Sequence, residues 1–254
     1  MTRIPAIFVS HGAPTLALDR ERGARLTRWG QTLPRPTALL VVSAHWDRTP
    51  ATLGATRALP LLHDYAGFPA ELARLRYDAP PAPDLAERVR ALLPGVAQAP
   101  DRPWDHGVWV PLLHLFPGAD LPLLQLSLPG RQSPRELFAL GRALAPLREE
   151  GVLVVGSGGA IHDLRRLDWS GAGGPAPWAL AFENWLRDAL ARRDVDEVLD
   201  AETRSPGLRA AHPTLEHFQP LWVTLGAGAD EARVTFPVEG WELGSLSHLG
   251  VQLG

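Results

Sequence analysis

The feature that most constrains this chain is the stretch Ala38–Asp47 (ALLVVSAHWD), which begins with five uninterrupted apolar residues. A run of this length without polar alternation is typical of a strand buried on both faces, as in a parallel or mixed sheet. The run stops at Ser43, and His45 follows two residues later. Because ligands of open α/β sheets lie at the carboxyl ends of the strands, His45 is a candidate site residue.

Two further apolar stretches show the same arrangement. Ile4–Ser10 leads directly into His11, and Gly151–Val155 leads into a glycine-rich loop that is followed by His162. The carboxyl ends of parallel strands meet at one edge of a sheet, so we expect these two histidines to converge with His45. The sequence therefore predicts one site built from three strand ends.

Strand-like stretches alternate with helix-like stretches along the chain, as in α/β proteins. Helices are expected over Asp19–Gln31 and over Pro134–Arg148, where proline occupies the permitted first position. Two more strands are expected at Arg233–Pro237 and Leu246–Leu253. No linker is visible, so we predict that residues 1–254 form a single α/β domain with a central, mainly parallel or mixed β-sheet flanked by helices.

Composition excludes several classes of chemistry. The chain has no cysteine, which removes disulfides, thiolate metal sites and cysteine nucleophiles. It also has no lysine, so its 25 basic residues are all arginine, and Schiff-base catalysis and a Walker-type phosphate loop are excluded. The net charge of −3 gives no indication of a nucleic-acid partner.

Nothing in the sequence indicates a membrane or secretory protein. The N-terminal stretch MTRIPAIFVS is too short to be a secretory signal, and no apolar run reaches the roughly 18 residues that a membrane span needs. We therefore expect a cytoplasmic protein that has no membrane partner.

Nine histidines are present, and with no cysteine a metal site here has to use imidazole and carboxylate ligands, which suit zinc or non-haem iron(II). His11 and His45 are the strongest candidates, because each follows a buried strand. A third candidate lies in the segment AHPTLEHF, where spacing alone does not decide between His212 and His217. We place the predicted metal site at the strand carboxyl ends.

Other candidate residues have both functional and structural interpretations. His162 follows a loop with three glycines, which suits either close approach to a ligand or a tight strand-to-helix turn. His106 follows Asp105, which is either a carboxylate that orients the imidazole or a helix cap. Trp46 and Trp109 either shape an aromatic pocket or pack in the core.

Six motifs together carry a resemblance that spans nearly the whole chain. They are SHGAP at Ser10–Pro14, SAHW at Ser43–Trp46, DYAGFP at Asp64–Pro69, DHGVWVPL at Asp105–Leu112, GSGGAIHDL at Gly156–Leu164 and HPTLEH at His212–His217. In this order they resemble the class III (LigB-type) extradiol ring-cleavage dioxygenases, and within them the DOPA 4,5-dioxygenase branch. Six ordered motifs are far more specific than any one of them.

The resemblance implies a single-domain α/β fold with one mononuclear non-haem metal. By motif position, His11, His45 and His212 would be the protein ligands, where the wider class usually has two histidines and a glutamate. Iron(II) is expected for activity, and an all-imidazole site would also suit zinc in the purified protein. His162 would be the acid/base and a candidate fourth ligand in the resting state, and His106 would lie beside the substrate.

The resemblance also implies the substrates, a catechol of the DOPA or caffeate type and O2. The residues expected to contact the catechol are Trp46, Tyr65, Phe68 and His217. We expect a monomer or small homo-oligomer. Two alternatives remain open at this point: a zinc-dependent hydrolase that uses the same three imidazoles, and a non-enzymatic metal-binding adaptor of the same fold.

Overall fold

The sheet is built around the strand that the apolar run predicts. In the computed structural model, which describes residues 3–170 and 174–254, this strand covers Ala38–Asp47. It pairs in parallel with Leu123–Leu128 on one side and with Val152–Gly158 on the other. Ala6–Ser10 in turn pairs in parallel with Val152–Gly158. The predicted parallel centre of the sheet is confirmed.

Ten strands are present in the described residues, eight of them in the main sheet. The main sheet has the order β4-β3-β5-β2-β6-β1-β10-β7, and its antiparallel pairs are β3 with β5, β1 with β10 and β10 with β7. The strands are β1 (Ala6–Ser10), β2 (Ala38–Asp47), β3 (Thr52–Leu53), β4 (Ala97–Gln98), β5 (Leu123–Leu128), β6 (Val152–Gly158), β7 (Val234–Thr235), β8 (Trp241–Glu242), β9 (Leu246–Ser247) and β10 (Val251–Leu253).

The central strands are apolar on both faces because both faces are covered by helices. In β2, Leu40 and Val42 join one core together with residues of α4, α5 and α9, whereas Leu39 and Val41 join a second core together with residues of α1 and α3. The nine helices of the described residues are α1 (Arg20–Thr32), α2 (Pro83–Leu92), α3 (His106–Leu115), α4 (Pro134–Leu144), α5 (Pro177–Ala191), α6 (Val195–Leu199), α7 (Ala201–Arg204), α8 (Leu208–Ala211) and α9 (Gln219–Ala227).

Local sequence signals set the ends of the helices. Asp19 caps α1 by accepting hydrogen bonds from two backbone N–H groups, and Ser133 forms a capping box with Glu136 at the start of α4. The helix predicted over Pro134–Arg148 ends at Leu144 and continues as a 3₁₀ turn. Within residues 3–170 and 174–254, every helix is too short or too polar to cross a membrane.

The predicted C-terminal strand Leu246–Leu253 is in fact two strands. Its first part, β9, pairs with β8 in a separate hairpin, and only its last part, β10, joins the main sheet beside β1. Gly250 separates the two parts, and a methyl group there would press on the Trp29 ring. The hairpin lies at the same end of the molecule as the carboxyl ends of β1 and β6, where it forms part of a cavity wall.

Candidate metal centre

The carboxyl ends of β1, β2 and β6 open into a cavity of about 480 Å³. His11 follows β1 directly, and His45 lies in the last part of β2. Strand β6 lies between β1 and β2 in the sheet, so the glycine loop that follows it runs between the two histidines. The predicted convergence of three strand ends is therefore present in the fold.

Three imidazoles meet at the buried end of this cavity. One ring nitrogen from each of His11, His45 and His217 lies within 4.8 Å of a nitrogen of each of the other two. The Nε2 atoms of His11 and His45 are 3.0 Å apart. Two nitrogens that bind one ion at about 2.1 Å and at right angles to each other are about 3 Å apart, so this spacing fits adjacent ligands of a single ion.

A serine of β6 fixes the protonation of the His11 ring. The Ser157 hydroxyl donates to the backbone oxygen of Gly107, so the same oxygen accepts from His11 Nδ1, 2.9 Å away. His11 therefore carries its proton on Nδ1, which leaves the Nε2 lone pair facing His45. This is the tautomer that a metal-binding imidazole needs.

His217 shows the same arrangement with a carboxylate. Its Nδ1 lies 3.2 Å from Glu216 Oε1, and this contact holds the pKa of Glu216 at about 2. The opposite nitrogen, His217 Nε2, is buried and has no hydrogen-bond partner among the described residues. A buried polar atom without a partner is costly, and a metal ion would satisfy this one. The donor set therefore fits a divalent transition metal.

Burial keeps these imidazoles neutral. It lowers the pKa of His217 to about 3 and that of His45 to about 4, and it lowers the pKa of His11 well below the ordinary value. The neighbouring imidazoles contribute to these downward shifts. Because a metal binds only the unprotonated ring, all three residues are ready to act as ligands at neutral pH.

The structure places the His212 ring in the core rather than in the cavity. This residue ends helix α8, and its ring packs against Phe182 and Phe218 in the core. Its Nε2 lies 2.9 Å from the backbone oxygen of Ala160, so the nitrogen donates there. His217, which we expected to contact substrate, stands in the place that motif position assigned to His212. The signal that could have separated them is the helix start at Gln219, just after His217.

Two more histidines face the cavity. His162 stacks on His217 with the ring centroids 3.5 Å apart and an interplanar angle of 6°, and it groups with Glu216 and His217 rather than with His11 and His45. This arrangement does not favour the fourth-ligand role that we expected. Burial lowers the pKa of His162, so its ring is neutral at pH 7 and can accept a proton.

His106 is oriented by a carboxylate other than the one next to it in sequence. Its Nδ1 lies 2.7 Å from Asp64 Oδ1, so it is Asp64 and not Asp105 that fixes the ring. Asp105 precedes α3 without capping it through its side chain, and instead accepts hydrogen bonds from Ser43 and Arg102 in a buried network. Asp64 belongs to one of the six motifs, but its pairing with His106 was not predicted, because the two residues are 42 positions apart in the chain.

Aromatic and aliphatic side chains form the walls of the cavity. Tyr65 and Phe68, both expected to contact substrate, line it. Trp46, for which we expected the same, does not: it is buried beneath the Arg102 guanidinium, 5.2 Å from the ring centroid. Sequence reasoning missed Trp169 and Leu164, which also line the cavity.

Close packing of the glycine loop holds His217 in place. A methyl group at Gly158 would overlap the backbone oxygen of His217, whereas one at Gly159 would meet nothing closer than 3.4 Å. The Gly159 N–H donates to the same His217 oxygen at 2.9 Å. We expected these glycines to let a backbone approach a ligand, and the closest approach is to the segment that carries His217.

Comparisons with known proteins show the family to which the chain belongs. Residues 5–254 match the model of the catalytic LigB subunit of aromatic ring-opening dioxygenase. A protein named 4,5-DOPA dioxygenase extradiol from Escherichia coli strain K12 is 39% identical, with 100% of this chain and 96% of the relative covered. A protein of the same name from Beta vulgaris is 38% identical, with 95% and 93% covered.

A solved structure supports the same assignment. The crystal structure of an uncharacterized Escherichia coli K12 protein superposes with a TM-score of 0.84 at 36% identity, covering 99% of this chain and 100% of that one. The family match extends over nearly all of the chain, and the relatives share more than a third of its residues. The chain therefore belongs to the LigB family and is an extradiol aromatic ring-opening dioxygenase.

Proposed function

We propose that the protein cleaves the ring of a catechol with O2 at a single non-haem metal ion held by His11, His45 and His217. The observation that carries this proposal is the convergence of three neutral imidazoles, one of which has a buried Nε2 atom that no other described residue contacts by a hydrogen bond. Three protein ligands leave three octahedral positions, which is the number that a two-oxygen diol and O2 require.

Iron(II) is the metal that we propose for activity, since it would supply the Lewis acidity and one-electron chemistry that a reaction of O2 with a catechol requires. Zinc suits the same ligands and is the ion we propose for protein purified without added iron. In the overall reaction, one ring C–C bond next to the diol breaks, and both atoms of O2 enter the product.

The remaining residues of the site are assigned proton transfer and contact with the substrate. His162 is neutral and faces the cavity, so we assign it the removal of a proton from a substrate hydroxyl. His106 donates a hydrogen bond from Nδ1 to the Asp64 carboxylate, and its Nε2 is therefore the nitrogen available to substrate. Tyr65, whose ring centroid lies 5.7 Å from that of His106, packs beside the bound ring.

The size and lining of the cavity also fit a small aromatic substrate. Its volume of about 480 Å³ exceeds what a substituted catechol needs, and its buried end holds the polar groups while its walls are apolar. We propose a cytoplasmic enzyme that is a monomer or small homo-oligomer. No feature of the site favours the hydrolase or adaptor alternatives over ring opening.

The test is anaerobic reconstitution with iron(II), followed by addition of 4-methylcatechol and air. The proposal predicts uptake of one O2 per catechol and a new visible absorbance from the ring-opened product. Zinc-loaded protein is the matched control and is expected to consume no O2. Full iron occupancy without O2 uptake over a panel of catechols would contradict the proposal.

A further inference from the structure

The mouth of the cavity exposes an unusual amount of apolar surface. Five large apolar side chains of the described residues are exposed, namely Leu18, Phe68, Leu164, Trp169 and Leu180. Three of them, Phe68 at 39%, Leu164 at 56% and Trp169 at 77% exposure, line this one cavity. We call these three residues the apolar mouth. Clustered exposed apolar side chains mark a binding surface rather than chance exposure.

The described side chains around the same cavity offer no permanent positive charge to a substituent of the substrate. Among the residues lining it in the described part of the chain, none is arginine, and the chain has no lysine. The segments left undescribed, 1–2 and 171–173, contain neither residue type. A carboxylate on the substrate would therefore lose water on entry without gaining a countercharge.

Three arginines close to cavity-lining residues already have partners. Arg22, behind the cavity wall, pairs with Glu242 at 2.5 Å. In the segment beside Leu164, Arg165 pairs with Asp163 at 2.9 Å, and the Arg166 guanidinium lies 4.0 Å from the Trp178 ring centroid.

The charge that does line the cavity is negative. Glu242 is the one carboxylate among the described lining residues, and its side chain is 28% exposed. It would repel an anionic substituent, and its pairing with Arg22 leaves it little capacity to attract a cationic one.

From this arrangement we propose that the preferred substrate is a catechol with an uncharged, apolar substituent opposite the diol. The diol faces the buried histidines, so a substituent on the far side of the ring points to the apolar mouth and covers Phe68, Leu164 and Trp169. The inference rests on the proposed function and departs from the DOPA or caffeate type of substrate, since those catechols carry a carboxylate.

The test compares two catechols of equal length on the iron-loaded protein: 4-propylcatechol and 3-(3,4-dihydroxyphenyl)propanoate. Oxygen uptake at pH 7.5 is expected to give a kcat/KM at least about tenfold higher for the propyl compound, mainly through KM. The same order of affinity is expected when the two compounds are titrated into zinc-loaded protein and tryptophan fluorescence is followed. That second measurement does not depend on turnover.

Two variants connect the preference to the apolar mouth. Leu164→Arg places a cation there and is expected to reduce the propyl-to-propanoate ratio by about tenfold. Leu180→Arg is the matched control, because Leu180 is also exposed, at 40%, but does not line the cavity. It is expected to leave the ratio unchanged.

The outcomes separate the two proposals. Equal or better use of the propanoate, or of the cationic 4-(2-aminoethyl)catechol, would overturn this inference and leave the proposed function standing. An unchanged ratio in Leu164→Arg would overturn the role of the apolar mouth. No O2 uptake with any of these catechols would overturn the proposed function, and this inference with it.

Discussion

One serine determines which nitrogen of His11 carries the proton. The Ser157 hydroxyl donates to the Gly107 backbone oxygen and accepts from His11 Nδ1, and this leaves Nε2 free toward the proposed metal. Its position in β6, between the strands that carry His11 and His45, makes the contact possible. The Ser157 hydroxyl oxygen would not bind the metal itself, but it sets the tautomer in which His11 can act as a ligand.

Ser157→Ala is expected to weaken metal binding by about 10- to 100-fold, because His11 loses the partner that fixes its ring and tautomer. Metal affinity measured by competition with a chelator tests this, with circular dichroism showing that the fold is kept. Ser127→Ala, a buried serine outside the cavity, is the control. Unchanged affinity in Ser157→Ala would show that the contact is incidental.

The variant His162→Gln tests the proton transfer proposed for this residue. We expect the variant to keep its metal and to lose at least about 100-fold in kcat, because the group that removes the substrate proton is gone. Elemental analysis and oxygen uptake with 4-methylcatechol measure the two effects separately. Near-normal turnover would remove His162 from the proton transfer, and loss of metal would make it a ligand.

At the level of secondary structure, the proposed site depends on the close contact between strand β6 and the segment that carries His217. Gly156 packs against the Pro220 backbone oxygen in α9, and Gly158 packs against the His217 backbone oxygen. Strand β6 therefore supplies Ser157 to one proposed ligand and supports the backbone of another. Small residues are needed here because two backbones meet.

Gly158→Ala is expected to displace His217 and reduce metal affinity strongly, with a loss of roughly 1–3 kcal/mol in stability from overpacking. Gly159→Ala is the matched control, because a methyl group there meets only ordinary contacts. Chelator competition and urea unfolding on both variants test the claim. Equal behaviour of the two alanine variants would mean that the glycine loop does not position His217.

The sequence was sufficient to predict the central strands β1, β2, β5 and β6, but not the short strands β3, β4 and β8 or the division of Leu246–Leu253 into two strands. A buried strand is recognisable from its continuous apolar run, and a histidine at its end lies at the edge of the sheet, so His11 and His45 were both predicted to lie there, and the structure brings their rings together. The sequence did not show which imidazole of the segment 212–217 faces the cavity, because that depends on packing against Phe182, Phe218 and β6. Contacts distant in sequence, such as that between His106 and Asp64, leave no local pattern.

In the molecule as a whole, one buried arginine connects the N-terminal and C-terminal segments with the end of helix α9. Arg148 is fully buried and donates to the backbone oxygens of Ile4, Ala227 and Leu253, and to the carboxylate of Glu231. Burial lowers its pKa, but four acceptors compensate for the lost water. The arginine therefore links the N-terminal strand, the C-terminal strand and the end of α9.

Arg148→Met is expected to destabilise the protein by roughly 2–5 kcal/mol, because buried acceptors lose their donor. Urea unfolding of the metal-free protein measures this. Arg135→Met is the control: Arg135 is exposed, and its ion pairs with Asp196 and Asp200 are expected to contribute little to stability. A loss in Arg148→Met no larger than in the control would contradict the assigned role.

The central claim is that His11, His45 and His217 hold one metal ion, and the most direct measurement is the metal content of two glutamine variants from the same segment. His217→Gln removes a proposed ligand, whereas in His212→Gln the new amide can still donate to the Ala160 backbone oxygen that His212 contacts. After reconstitution and dialysis, elemental analysis is expected to find less than about a tenth of an ion per chain in His217→Gln and close to one ion in His212→Gln. Full metal in His217→Gln with loss of metal in His212→Gln would contradict the account.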